Sequence, residues 1–293
     1  MADTIIRATT AGFCMGVDLA LRKLDRVLAE NTCQEKICTL GPIIHNPQVL
    51  RDYAEQGVQQ VDSVQEVQPG SCVVIRAHGV PMPVQKELQN RGARIVDATC
   101  PKVKKAQMLI AEHSAHGARL LLYGEPDHPE VAGLLSYASP RAQVIENLEM
   151  VDALDLHPEQ QYFLAAQTTQ DRSEFQSVVA RLEERLGTEF PVLDTICDAT
   201  RERQKEAMRI ARQVDVMLVV GGFSSGNTRR LAKVVQDQGV PSIHIESADD
   251  LSGQELSQAS RVGITAGAST PRKVIDAVEK TAARWSEWGG SWT

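Results

Sequence analysis

Short runs of Val, Ile and Leu alternate with patterns of helical period along almost the whole chain, and this alternation restricts it to the α/β class. Strand-like runs fall at 36–40, 71–76, 93–96, 119–123, 162–165, 192–196, 214–220, 241–245 and 261–265, after a short apolar opening at Ile5 and Ile6. Helical patterns cover 16–29, 47–56, 83–91, 102–115, 170–186, 200–212, 228–238 and 271–284. Strands separated by helices imply parallel sheets with crossover connections. A chain of 293 residues with 42% apolar content forms two or three compact units more readily than one.

Three cysteines stand at equivalent places in this alternation. Cys14 lies in Thr-Ala-Gly-Phe-Cys-Met-Gly-Val, Cys100 in Asp-Ala-Thr-Cys-Pro-Lys-Val and Cys197 in Asp-Thr-Ile-Cys-Asp-Ala-Thr, each after a strand-like run and before a helix. They are nearly evenly spaced, so each third of the chain would deliver one thiol to a common centre. The N-terminus lacks a basic start followed by a long apolar segment, and no apolar run reaches membrane-spanning length, so a cytoplasmic protein without membrane contact is expected. In that reducing compartment the six cysteines suit metal ligands, reactive thiols or core filling better than disulfides. Cys38 and Cys72 inside strand runs, and Cys33 near a helix end, read as filling. Thiolates are soft ligands for zinc or iron-sulfur clusters. Four would close a structural site, whereas three leave a position open for substrate.

The residues after each strand are small, polar or thiol-bearing, and ligands of open parallel sheets bind beyond the carboxyl ends of strands. His45, His78 and His128 all lie in such segments and suit an anion site. Ser225-Gly226-Asn227 and Ser269-Thr270-Pro271 read as helix starts, whose free amides cradle anions; ordinary N-capping explains the same residues. Glu130 reads as an acid beside the metal, with Thr168 or Thr169 as hydroxyl relay, or as a carboxylate simply favoured in a first helical turn; Glu125 and Asp127 share its segment and spacing does not choose among them. A net charge of −7 with no basic run argues against nucleic acid. No Gly-x-Gly-x-x-Gly or P-loop follows any strand, so no nicotinamide or ATP site is indicated. The expected divisions are 15–100, 101–195, and 1–14 joined with 196–284, with a tail over 285–293.

Eight ordered motifs carry a resemblance over nearly the whole chain: Ala-Gly-Phe-Cys-Met-Gly-Val, Gly-Pro-Ile-Ile-His-Asn, Arg-Ala-His-Gly-Val, Asp-Ala-Thr-Cys-Pro, His-Pro-Glu-Val, Ala-Gln-Thr-Thr-Gln, Asp-Thr-Ile-Cys and Ala-Gly-Ala-Ser-Thr-Pro. By these the chain resembles the LytB/IspH family of 4-hydroxy-3-methylbut-2-enyl diphosphate reductases, which act last in the methylerythritol phosphate route to isoprenoids. The resemblance implies three small α/β domains in a pseudo-threefold arrangement around one [4Fe-4S] cluster per chain, held by Cys14, Cys100 and Cys197. It implies that His45, His78, Ser225, Asn227 and Ser269 hold the diphosphate of an allylic substrate, with His128 beside them. By the same match, Glu130 and Thr168 handle the proton of the departing water. A ferredoxin or flavodoxin would supply the electrons, and the products would be isopentenyl and dimethylallyl diphosphates. Many members carry Ser-Ser-Asn where this chain has Ser225-Gly226-Asn227, so the backbone amide of Gly226 is expected to replace a hydroxyl contact. Two other classes compete: a non-catalytic iron-sulfur or zinc sensor with a closed metal shell, and a metal-free small-molecule binding protein.

Overall fold

The computed structural model describes residues 4–31, 35–157, 159–252, 256 and 259–287. In chain order the strands and α-helices are β1 (Thr4–Arg7), α1 (Met15–Glu30), β2 (Ile37–Leu40), α2 (Pro47–Glu55), β3 (Gln59–Val61), β4 (Cys72–Ile75), α3 (Met82–Asn90), β5 (Arg94–Asp97), α4 (Pro101–Ala115) and β6 (Arg119–Tyr123). There follow α5 (Pro129–Leu135), β7 (Gln143–Ile145), α6 (Leu148–Ala153), β8 (Tyr162–Ala166), α7 (Arg172–Leu186), α8 (Asp198–Ala211), β9 (Val216–Val220), α9 (Gly226–Gln236), β10 (Ser242–Ile245), β11 (Arg261–Ala266) and α10 (Arg272–Glu287). The protein is α/β, with three small sheets ordered β3-β2-β4-β5, β7-β6-β8 and β1-β11-β9-β10. Every pairing in them is parallel. Among the described residues no helix is long and apolar enough to cross a membrane.

By its contacts the chain forms two compact units, one of Met1–Val17, His45–Arg51 and Asp198–Thr293, the other of Asp18–Ile44 and Asp52–Cys197. In the first, the two ends of the chain meet in one sheet: β1 pairs along β11, with Ile5 opposite Val262 and Ile6 opposite Gly263. β9 is buried on both faces, which is why it reads as an unbroken apolar run rather than an alternating one. One side packs Leu218 and Val220 with Ile264, Ile275 and Val278; the other packs Met217 and Val219 with Ile210, Leu231 and Val235. In the second unit the two remaining sheets are built alike, on fully buried β4 and β8 and on β6, buried from Leu120 onward.

Three expectations from the sequence are corrected. The run 192–196 forms no ladder strand; only a bridge joins Val192 to Leu164. The cause lies in Thr195, whose Oγ1 accepts from Ala166 N at 2.8 Å and donates to Ala166 O at 2.6 Å, doing with one hydroxyl what a strand does with its backbone. Short α5, α6, β3 and β7 went unread, because three to seven residues do not establish a period. Lastly, α10 runs on to Glu287, past the expected helix end at 284; 288–293, like Cys33, lie outside the described residues.

Candidate functional site

Each of the three cysteines directly precedes the first residue of a helix: Cys14 before Met15, Cys100 before Pro101 and Cys197 before Asp198. A helix N-terminus carries partial positive charge and free amides. All three cysteines are unbridged and half-buried, whereas Cys38 and Cys72 are fully buried. Burial, with Cys72 nearby, pushes the Cys38 thiol up to about 11, so it is filling and unsuited to metal. Soft, accessible donors at three helix starts fit an iron-sulfur group.

In the second unit the backbone of Cys100 is pinned at both sides: its N–H donates to Ala77 O at 2.9 Å and its carbonyl accepts from Lys104 N at 2.9 Å. Just upstream, Asp97 accepts from the amide and hydroxyl of Thr99 and pairs with Lys104 at 2.5 Å. Burial pushes the Asp97 carboxyl up, but the Lys104 ammonium and the Thr99 donors outweigh it and hold it below its usual range.

The same unit joins Glu130 to Thr168, the expected acid and relay. Glu130 is 2% exposed in the first turn of α5. Its Oε1 accepts from Thr168 N at 2.6 Å and its Oε2 from Thr168 Oγ1 at 3.0 Å. Thr168 O in turn accepts from Cys197 N at 2.9 Å, so carboxylate, hydroxyl and thiol-bearing residue form one connected run. Thr169 is engaged elsewhere, its hydroxyl accepting from Gln167 Nε2 at 3.1 Å. Of the other two acids, Asp127 is exposed and Glu125 half-buried. His128 caps α5: its Nδ1 accepts from Glu130 N at 3.1 Å, so that nitrogen carries no proton and Nε2 carries the one of a neutral ring. The His78 ring stands edge-on to it, 5.5 Å between centroids.

The first unit gathers the helix starts. Ser225 caps α9, its Oγ accepting from Thr228 N at 3.3 Å, and Gly226 is the first helical residue. Asn227 Nδ2 is buried with no hydrogen-bond partner among the described residues, which leaves it a donor to offer a ligand. Ser269 Oγ donates to His45 O at 3.1 Å, so its proton must leave this carbonyl before it serves an anion. Gly222 lies against that carbonyl too: a Cβ there would come within 2.9 Å of it.

The Cys14 loop lies on the same unit. Cys14 N donates to Ala268 O at 3.2 Å. Gly12 holds φ +106, and a Cβ there would press Ile275 Cδ1 at 3.3 Å, so both conformation and space call for glycine. Glu206 of α8 accepts from the amides and hydroxyls of Thr9 and Thr10 at 2.7–3.0 Å. Burial pushes its carboxyl up, but these four donors prevail and bring it down to about 2 from 4.5. A carboxyl depressed on folding contributes its stability above the unfolded value and loses it as pH falls through the folded one. Acid unfolding should therefore weaken this unit progressively from pH 4.5 to about pH 2. Urea titrations should show Glu206→Gln less stable than wild type at pH 7, with the gap closing toward pH 2. A gap independent of pH would show that the carboxylate charge is not what holds the loop.

Glu206 and Arg203 had no signal in the sequence. Gln167, 0% exposed, accepts from Glu125 N at 3.0 Å and from Gln170 Nε2 at 3.1 Å; its place after a strand in Ala-Gln-Thr-Thr was the only hint.

The family model described as LytB protein matches residues 5–283. The chain is similar to the 4-hydroxy-3-methylbut-2-enyl diphosphate reductase of Nitratidesulfovibrio vulgaris (strain DSM 19637 / Miyazaki F), at 58% identity over 276 residues, 94% of this chain and 98% of that one. Among solved structures it is similar to the E-1-hydroxy-2-methyl-but-2-enyl-4-diphosphate reductase from Plasmodium falciparum, with TM-score 0.91 and 25% identity over 96% of this chain and 88% of the other. A second solved structure, (E)-4-hydroxy-3-methyl-but-2-enyl diphosphate reductase, the terminal enzyme of the non-mevalonate pathway, is similar at 37% identity and TM-score 0.69, covering 96% of this chain and 99% of that one.

Proposed function

The chain belongs to the LytB protein family, and from that premise we propose how its residues share out the family's reaction. The chain is an oxidoreductase: it removes the hydroxyl of 4-hydroxy-3-methylbut-2-enyl diphosphate as water by two-electron reduction, giving isopentenyl and dimethylallyl diphosphates. Cys14, Cys100 and Cys197 would hold one [4Fe-4S] cluster per chain. When bound, that group would supply single electrons and Lewis-acidic iron for the substrate hydroxyl. The domains follow the three sheets, as 15–100, 101–195, and 1–14 with 196–284.

The remaining work falls to the chain's own side chains. Glu130 holds the proton for the departing oxygen and Thr168 Oγ1 passes it on. The observation that carries this reading is the 2% exposed carboxylate bonded to both the amide and the hydroxyl of Thr168, whose carbonyl is bonded in turn to Cys197 N. The diphosphate is held by His45, His78, Ser225, Asn227 and Ser269, with His128 beside them and the Gly226 amide in the helix start. The buried, unbonded Asn227 Nδ2 supports this group. Electrons arrive from a ferredoxin or flavodoxin, since no flavin or nicotinamide motif follows any strand. Cys38 and Cys72 are unbridged on the paired strands β2 and β4, which suits the reducing cytoplasm.

Anaerobic purification with iron and sulfide analysis, a visible spectrum and an assay of both products under chemical reductant tests the reading. A colourless, iron-free protein that turns nothing over after reconstitution would overturn it. Gly226→Ser tests the anion cradle separately. Its backbone amide stays in place and a hydroxyl is added, so folding should be unaffected and substrate binding equal or tighter by calorimetry. A large loss of affinity in a folded variant would show that this helix start does not face the phosphate.

A further inference from the structure

We propose that Arg203 is a positioning residue for Cys14, setting the thiol's place before any metal is bound. The inference rests on Cys14 being a ligand, as read above. Arg203 is 3% exposed on α8, the helix that starts directly after Cys197. Its Nη2 donates to Gly12 O at 2.9 Å and its Nη1 to Ala266 O at 2.6 Å. Ala266 ends β11, and Ala268, two residues on, accepts the Cys14 amide. One planar guanidinium therefore ties the Cys14 loop to the strand end on which Cys14 itself is hung. A rigid fork spans two acceptors at a fixed separation, which a flexible ammonium does not do. Glu206, three residues further and so on the same helix face, takes Thr9 and Thr10. The loop is gripped at its start by the carboxylate and near the thiol by the guanidinium, with Gly12's left-handed backbone turning its carbonyl between them.

Burying an arginine costs free energy unless it is fully bonded, and a loop of this length needs no such group merely to close. A preset thiol, however, spares the cluster the entropy of ordering its own ligand, so it binds more tightly and leaves more slowly.

The test uses the full chain with Arg203→Met, which keeps the stem and removes the fork, Arg203→Lys, and the surface double variant Thr9→Val/Thr10→Val, which weakens the same grip without touching the core. Hydrogen exchange at the amides of residues 9–14 is measured in the metal-free protein. Transfer of iron to a chelator and the visible spectrum are measured after reconstitution. Arg203→Met is expected to speed both exchange and iron transfer about tenfold and to alter the spectrum. Lysine should restore part of this, and the double variant should show a several-fold effect. Wild-type exchange in Arg203→Met, or in Arg203→Lys if Arg203→Met fails to fold, overturns the proposal, as does faster exchange with unaltered iron transfer. If the wild-type chain takes up no iron at all, the ligand reading fails instead, and exchange still reports whether Arg203 holds the loop.

Discussion

Serine in place of Cys14 is expected to bleach the protein and abolish turnover, and serine at Cys100 or Cys197 to do the same. A cluster held by three thiolates has no spare protein ligand, and a hydroxyl is a hard, weakly acidic donor that does not replace a thiolate on iron. The loss should not come from unfolding. All three backbone positions are fixed by amide or carbonyl bonds that serine keeps, and serine is a good residue to place before a helix. Circular dichroism should therefore remain native in metal-free samples of the variants. Cys38→Ser is the control: it should retain iron and sulfide in full and lose on the order of 1–2 kcal/mol of stability, the cost of burying a hydroxyl in place of a thiol. Full iron, sulfide and activity in Cys14→Ser would remove the foundation of the functional reading.

The second large effect is expected from Glu130→Gln, on the order of 10²-fold or more in rate. Breaking a carbon-oxygen bond at neutral pH needs a proton on the leaving oxygen, and glutamine has none to give. The geometry makes the loss sharper. Glu130 accepts from both the amide and the hydroxyl of Thr168. A glutamine still accepts from the amide, but its NH2 faces the hydroxyl, which must turn to accept, and the direction of the relay reverses. Cluster content and substrate binding should survive. Single turnover under saturating chemical reductant is the measurement. Near-normal rates would move the proton source to the diphosphate or a water, and loss of the cluster would reduce Glu130 to a stabiliser of the α5 start.

Candidate site residues were legible wherever they sit in the short segment after a strand. The strand-helix alternation and the three cysteines before helix starts could be read because both depend on local order. What stayed hidden depends on partners far off in sequence. Nothing local distinguishes Thr168 from Thr169 as partner of Glu130; the choice appears only when β8 lies beside β6 and Gln167 claims the Thr169 hydroxyl. Arg203 and Glu206 look like ordinary charges of an amphipathic helix until α8 packs under the loop from 9 to 14. The run 192–196 misled for the same reason, since its alternation is real but Thr195 takes over the pairing.

The pairing of β1 with β11 has a consequence for biosynthesis. The segment that carries Cys14 is made well before the strand that receives it, which ends at Ala266. At typical synthesis rates the first strand waits on the order of ten to fifty seconds for its partner. During that interval an opening segment with a free thiol is unpaired, a long loop closure is outstanding, and contacts of this span form slowly. Any metal held by Cys14 would therefore be inserted only once β11 has been made. In cells short of assembly factors or exposed to oxygen, newly made chains, rather than the finished enzyme, are where oxidative loss of Cys14 should concentrate.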